Sequence, residues 1–214
     1  MLECPTFFGR PAAPSTMALP PAAPTRQLKH RRSIDVQLFA RDDGLWEVDA
    51  RLIDTKTRDL PMAAGVRPAG TPLHEMLLRL VIDTRFEILA AGAHTSWMPY
   101  PGHCDAYARP DGSDIYARLV GLNLLKGFRA AVRARLGGDL GCTHLTEMCQ
   151  VLPSAVIQAF AGEVLDTREG GADGTPPFQI DRCHALRSSG EAVRLYYPKW
   201  LRADSAQNPP PVVP

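Results

Sequence analysis

The sequence predicts an α+β fold: an antiparallel β-meander of about four strands packed against C-terminal helices, plus a small C-terminal hairpin. Three observations predict it. Apolar residues alternate with polar ones through the first half of the chain, and later they recur at three- and four-residue steps. The strand pattern also precedes the helix pattern instead of interleaving with it, as a parallel α/β fold would require.

The elements follow in order. Residues 1–27, "MLECPTFFGRPAAPSTMALPPAAPTRQ", are rich in Pro and Ala and show no period. Such a stretch buries too little apolar surface to offset its ordering entropy. Residues 1–29, with Cys4, are therefore expected to be a disordered extension, residues 30–201 a single domain, and residues 202–214 a disordered tail. In "SIDVQLFARDDGLWEVDARLIDTKT", Ile34, Val36 and Leu38 alternate with polar residues, as do Trp46, Val48, Ala50 and Leu52. Asp43-Gly44 between them signals a hairpin whose two turn residues are expected at positive φ. "LPMAAGVRPAG" reads as a loop. "HEMLLRLVID" resumes the alternation at Met76, Leu78, Leu80 and Ile82, and "RFEILAAGA" follows a tight turn. Together these make a meander with one solvated face.

Further on, "IYARLVGLNLL" and "GFRAAVRARLGG" carry helix formers, with Gly137-Gly138 as a stop. From Cys142, the residues Leu145, Met148, Cys149, Leu152, Val156 and Ala159 form a helical stripe. Pro153 inside it is expected to kink or split the helix. Residues 166–177 form a Gly/Pro/Asp linker. "FQIDRCHALRSSGEAVRLYYPKW" reads as the small hairpin, turning at Ser189-Gly190 with Val193, Leu195 and Tyr197 on one face.

Composition narrows the function. A chain of 214 residues with 45% hydrophobic and 22% charged residues can bury a core. A net charge of +1 gives no reason to expect nucleic acid or a membrane surface. No apolar run approaches the roughly 20 residues that span a bilayer. Prolines interrupt the N-terminus where a secretory leader would have its apolar core. A cytoplasmic protein is expected, with a small molecule or another protein as partner. The five cysteines are an odd number and read poorly as a disulfide framework.

Dinucleotide, P-loop, nucleophile-elbow and H-E-x-x-H patterns are absent; "LHEML" lacks the second histidine. What remains is thiol and imidazole chemistry. "GCTHLTEM" puts Cys142, His144 and Glu147 together at an expected helix start, with Thr143 as a candidate N-cap. The positive end of the helix dipole and its unpaired N–H groups favour a thiolate there. Glu147 also suits a first helical turn simply as a dipole partner, and Cys142 suits a helix–sheet junction as a small buried residue. Cys104 lies in the Pro/Gly loop after the last strand, beside His103. His74 opens the third long strand. Cys183 and His184 are adjacent, so on a strand only one of them could face a shared site. Cys149 belongs to the apolar stripe, and His30 and His94 have no partner in the sequence.

The segments "RRSIDVQLFARDDGLWEVDARLIDTKT", "PLHEMLLRLVID", "PYPGHC", "RLGGDLGCTHLTEM" and "CHAL…YYPKW" resemble a bacterial family catalogued as domain of unknown function 2889. The resemblance covers roughly residues 30–201. It implies that the first 29 residues lie outside the common domain, and it carries no activity. The strand-then-helix order is also similar to that of iron–sulfur cluster scaffold proteins of the IscU/NifU N-terminal type. That resemblance implies ligands at three places: His74 where such scaffolds carry an acidic residue, Cys104 in the loop leaving the next strand, and Cys142 at the helix start. Pro72 falls near the scaffold's first cysteine, and the C-terminal hairpin is additional.

Three functions fit these residues. In the first, a metal site of zinc or iron–sulfur type lies at one end of the sheet, with Cys104 and Cys142 as ligands completed by His74, His144, Cys183 or His184. In the second, a metal-free enzyme or small-molecule binder uses Cys142 as a nucleophile, with His144 or His184 as base and Trp97, Met98 and Tyr100 at the pocket mouth. In the third, a protein-interaction domain merely buries its thiols. Whether the chain is an enzyme is open at this level.

Overall fold

In the computed structural model, residues 19–105, 107, 114–171 and 174–202 are described. The expectations for Cys4, for most of the N-terminal extension and for nearly all of the C-terminal tail lie outside them. Among the described residues six strands form: β1 (His30–Ala40), β2 (Trp46–Lys56), β3 (Leu60–Met62), β4 (Gly65–Arg67), β5 (Pro72–Ile82) and β6 (Ile88–Trp97). The four long strands make one antiparallel sheet in the order β1-β2-β5-β6, and β3-β4 is a separate small ladder inserted between β2 and β5. The fold is α+β, as the pattern predicts. The segment read as a loop holds the β3-β4 hairpin instead; its paired stretches are only three residues each, too short for a period to show.

The β1-β2 turn differs in detail. Gly44 has φ +79°, whereas Asp43 is not among the residues with positive φ. Arg41 N–H donates to Leu45 C=O and Gly44 N–H to Arg41 C=O. The connection is thus a three-residue loop ending in a left-handed glycine, one residue longer than the tight two-residue turn.

The sheet buries one face. Along it lie Val48, Ala50 and Leu52 of β2 and Met76, Leu78, Leu80 and Ile82 of β5, all at most 2% exposed. They pack against α1 (Phe128–Leu136) and α2 (Thr143–Phe160). The opposite face carries ion pairs between Arg79 and Asp49 and between Arg51 and Glu75. "IYARLVGLNLL" yields only a short 3-10 helix at Ile115–Leu119, broken by Gly121 at φ +77°. Gly137 does terminate α1.

Helix α2 runs unbroken through Pro153. A mid-helix proline costs about 3 kcal/mol. Leu145, Met148, Leu152, Val156 and Phe160 are fully buried beneath it, and each apolar side chain contributes about 1.5–3 kcal/mol, so packing wins. The helix crosses the inner face lengthwise. Phe160 at its end stacks on Trp46 and Phe86, with ring centroids 4.6 and 5.0 Å away, and His144 at its start lies 3.9 Å from the His74 ring.

The expected C-terminal hairpin is not formed. Its residues make a 3-10 turn (His184–Leu186), a short α3 (Glu191–Tyr196) and a second 3-10 turn (Pro198–Trp200). Val193 alone of the apparent alternation is buried, while Leu195 is 56% exposed. Glu191 in the first turn and Arg194 three residues on form an ion pair along the helix, and an alternation of only three apolar residues fits a helical turn as readily as a strand.

Candidate metal centre

The inner face changes chemistry at one end. The β1-β2-β5 register places Ile34, Leu52 and Met76 in one row across three strands. The next row on the same face is Arg32, Asp54 and His74. Asp54, 1% exposed, is the centre of that row. Arg32 grips it with two parallel bonds, Nε to Oδ1 at 2.8 Å and Nη2 to Oδ2 at 2.7 Å. His74 Nδ1 lies 3.1 Å from Oδ2, and His30 Nε2 lies 3.2 Å from Oδ1. A buried carboxylate needs such partners, because desolvating it unpaired costs several kcal/mol.

Helix α2 delivers the remaining groups. Cys142, not Thr143, is its N-cap, and its C=O accepts the first helical bond, from Thr146. Its N–H donates to the buried Tyr116 hydroxyl at 2.9 Å, satisfying one of the orphan donors of a helix start. His144 lies in the first turn with Nε2 3.8 Å from Asp54 Oδ2 and Nδ1 3.8 Å from Cys142 Sγ. Glu147 falls beyond the first turn and takes Arg32 Nη1 at 2.5 Å. Arg32 therefore ties the first strand to the helix.

The protonation states follow from these surroundings. Burial works against the Asp54 carboxylate, but the Arg32 hydrogen bonds and charge, with His74, outweigh it and hold its pKa below the usual carboxylate range. Burial, and then the neighbouring His144, push the His74 pKa below its ordinary value of 6.5. Burial and then Arg32 do the same to His144. Both imidazoles are thus neutral near pH 7, the form that binds metal. One donor atom each from Asp54, His74 and His144 lies within 4.8 Å of the others, an Asp/His/His arrangement with metal-site geometry.

A pocket of about 530 Å³ opens beside the cluster, lined among others by His74, Met76, His103, Cys104, Cys142 and His144. Four of the six ligand candidates named from sequence line this pocket, although of them only His74 and His144 belong to the donor set with Asp54, and the expected thiolate ligands Cys104 and Cys142 do not. The other two candidates do not line it. Cys183 is exposed and lines a different pocket, against α1 and the second half of α2. His184 begins the adjacent 3-10 turn. Tyr100 lines the pocket beside the cluster, whereas Trp97 lies under Arg67, whose Nη2 bonds the Met98 carbonyl. Cys149 is core, and burial pushes its thiol up to about 12.

The sequence alone does not single out Asp54, Arg32 or His30. One signal was present: Asp54 follows Trp46, Val48, Ala50 and Leu52 at the same two-residue step, which makes it a charged residue on an inward-facing row.

Fold and site together define an α+β protein with a carboxylate–imidazole cluster at one sheet end. Residues 30–158, more than half of the chain, match the family described as protein of unknown function (DUF2889), and the chain belongs to that family. The matched region holds the whole cluster and leaves Cys183 and His184 outside it. No curated protein and no solved structure matches the chain, so the likeness to iron–sulfur scaffolds gains nothing from either comparison. Among the described residues, no helix is long and apolar enough to cross a membrane.

Proposed function

We propose that this protein binds one divalent transition ion of the zinc class through Asp54 Oδ2, His74 Nδ1 and His144 Nε2. The observation that carries the reading is that one donor atom each of Asp54, His74 and His144 lies within 4.8 Å of the others; burial, which pushes both imidazoles below their ordinary pKa, favours the neutral, metal-binding form. Two nitrogens and one carboxylate oxygen suit zinc or ferrous iron. An iron–sulfur cluster would need thiolates in their place. Arg32 offsets the Asp54 charge, which disfavours calcium and magnesium, since they rely on accumulated negative oxygens.

The ion and a His74 Nδ1–H would compete for the same Oδ2 lone pair, so binding selects the tautomer with the proton on Nε2. Three protein donors leave a fourth position free for water or a pocket ligand. The test uses tag-free full-length protein, elemental analysis and a zinc titration. One equivalent is expected, with at least ten-fold weaker binding in His74→Ala and in His144→Ala. Cobalt substitution should give a visible spectrum without thiolate charge-transfer bands. Absence of binding, or equal binding by both variants, overturns the reading.

A second reading has its own support. Cys142 Sγ, His144 Nδ1, His144 Nε2 and Asp54 Oδ2 form a thiol–imidazole–carboxylate line with 3.8 Å steps, at a helix start. Cys142 would then be a nucleophile with His144 as its base. A metal-free protein with one fast-alkylating thiol, slowed by His144→Ala, would support this reading over the first.

A further inference from the structure

The other ring nitrogen of His144 faces different chemistry. Cys142 Sγ lies 3.8 Å from His144 Nδ1 and 3.8 Å from Met76 Sδ. Met76 is a core residue, 2% exposed, yet together with Cys142 and His144 it lines the pocket. We infer that Met76, Cys142 and His144 form a soft-metal site that takes monovalent copper.

The distances carry this assignment. Metal–sulfur and metal–nitrogen bonds of about 2.1–2.3 Å at 120° separate neighbouring donors by roughly 3.6–4.0 Å. The two edges that meet at Cys142 Sγ fall in that range. The ion would therefore sit beside Cys142 Sγ, within reach of Met76 Sδ and His144 Nδ1, and Cys142 would lose its thiol proton to solvent on binding. A thiolate, a thioether and an imidazole are soft to borderline donors, the set that selects monovalent copper over hard cations. Asp54 is placed to give outer support: with His144 bound through Nδ1, its Nε2–H lies on the side of Asp54 Oδ2, 3.8 Å away, and closing that gap would complete the carboxylate–histidine–metal arrangement that orients a ligating ring.

This site shares His144 with the Asp54/His74/His144 set but does not rest on that reading. A neutral imidazole has one lone pair, so His144 serves one site through Nδ1 or the other through Nε2.

The test is an anaerobic titration of the full chain with monovalent copper against a chromogenic chelator, alongside a zinc titration of each protein. Wild type should bind one copper equivalent. Met76→Leu, which conserves core volume, should weaken copper at least ten-fold and leave zinc behaviour as in wild type. Cys142→Ser should also weaken copper at least ten-fold. X-ray absorption of the copper form should show two sulfur neighbours and one nitrogen. Copper binding by both variants at wild-type strength, or a copper form with only nitrogen and oxygen neighbours, sinks the proposal. Circular dichroism confirms that each variant is folded. Wild type that binds copper but not zinc overturns the earlier reading alone, and zinc without copper overturns this one alone.

Discussion

Two rows on the same face of the same three strands make the instructive contrast. Leu38, Val48 and Leu80 form one; Arg32, Asp54 and His74 form another, three register steps along. Both lie on the face that α2 crosses. The first row belongs to the packed core, and the helix covers that end with Phe160. The second faces a helix start bearing Cys142 and His144, where polar groups bind one another and a pocket opens. Strand and face alone do not set the chemistry of a position. What the crossing helix brings to that end decides whether burial is apolar or is satisfied by hydrogen bonds.

Substitutions at the two ends sharpen the contrast. The largest effect is expected from Leu52→Ala, in the last fully apolar row. Removing a side chain that is 0% exposed should cost about 2–5 kcal/mol in denaturant unfolding. Zinc binding should persist wherever the variant stays folded. Asp54→Asn comes next. It keeps the shape but removes the charge that Arg32 and the histidines share, and should cost about 1–3 kcal/mol. Unlike Leu52→Ala, it should also abolish zinc binding; unimpaired zinc affinity would show that the carboxylate is purely structural.

A third effect concerns pH. His74 and His144 titrate below 6.5 in the folded protein and near 6.5 when unfolded. Their contribution is fully present above that value. It is lost as pH falls from about 6.5 through the folded pKa values, because the unfolded chain takes up the protons first. Asp54 acts in the same direction at lower pH: its depressed pKa gives stability that fades as acid protonates it. His74→Gln should flatten the pH dependence of the melting temperature just below 6.5. A slope unchanged in that variant would place the titrating group elsewhere. The smallest effect is expected from Cys183→Ser. The residue is exposed and lies at the other pocket, so stability should move by about 0.5 kcal/mol or less and metal affinity not at all.

That last variant points to a second contrast, between two Cys/His pairs that look alike in sequence. Cys142 is the N-cap, with extended backbone, and His144 lies in the first turn, so both line one pocket although two residues inside a helix at that spacing would face apart. Cys183 and His184 are adjacent, the first capping and the second opening a 3-10 turn beyond the residues of the family match. Local spacing could not rank them. The C-terminal segment reads as strands yet folds as turns and a short helix for a related reason: three apolar residues at alternate positions are too few to distinguish a period of two from a helical turn.

The sequence by itself determined the four long strands, their inward-facing residues, the buried stripe of the last long helix and the glycine stop before it. The strands and the stripe are repeating local patterns, and repetition over eight or more residues outweighs single exceptions such as Pro153; the glycine stop is a local signal of another kind, a residue that ends a helix where it stands. Only the tertiary structure decided that Asp54 is the hub, that His30 and Arg32 have partners, and that His144 turns one nitrogen to a carboxylate and the other to sulfur. Apart from the Cys142–His144 pair, two positions apart, those contacts join residues 20 to more than 100 positions apart. Strand register and helix placement bring them together, and neither leaves a periodic trace along the chain.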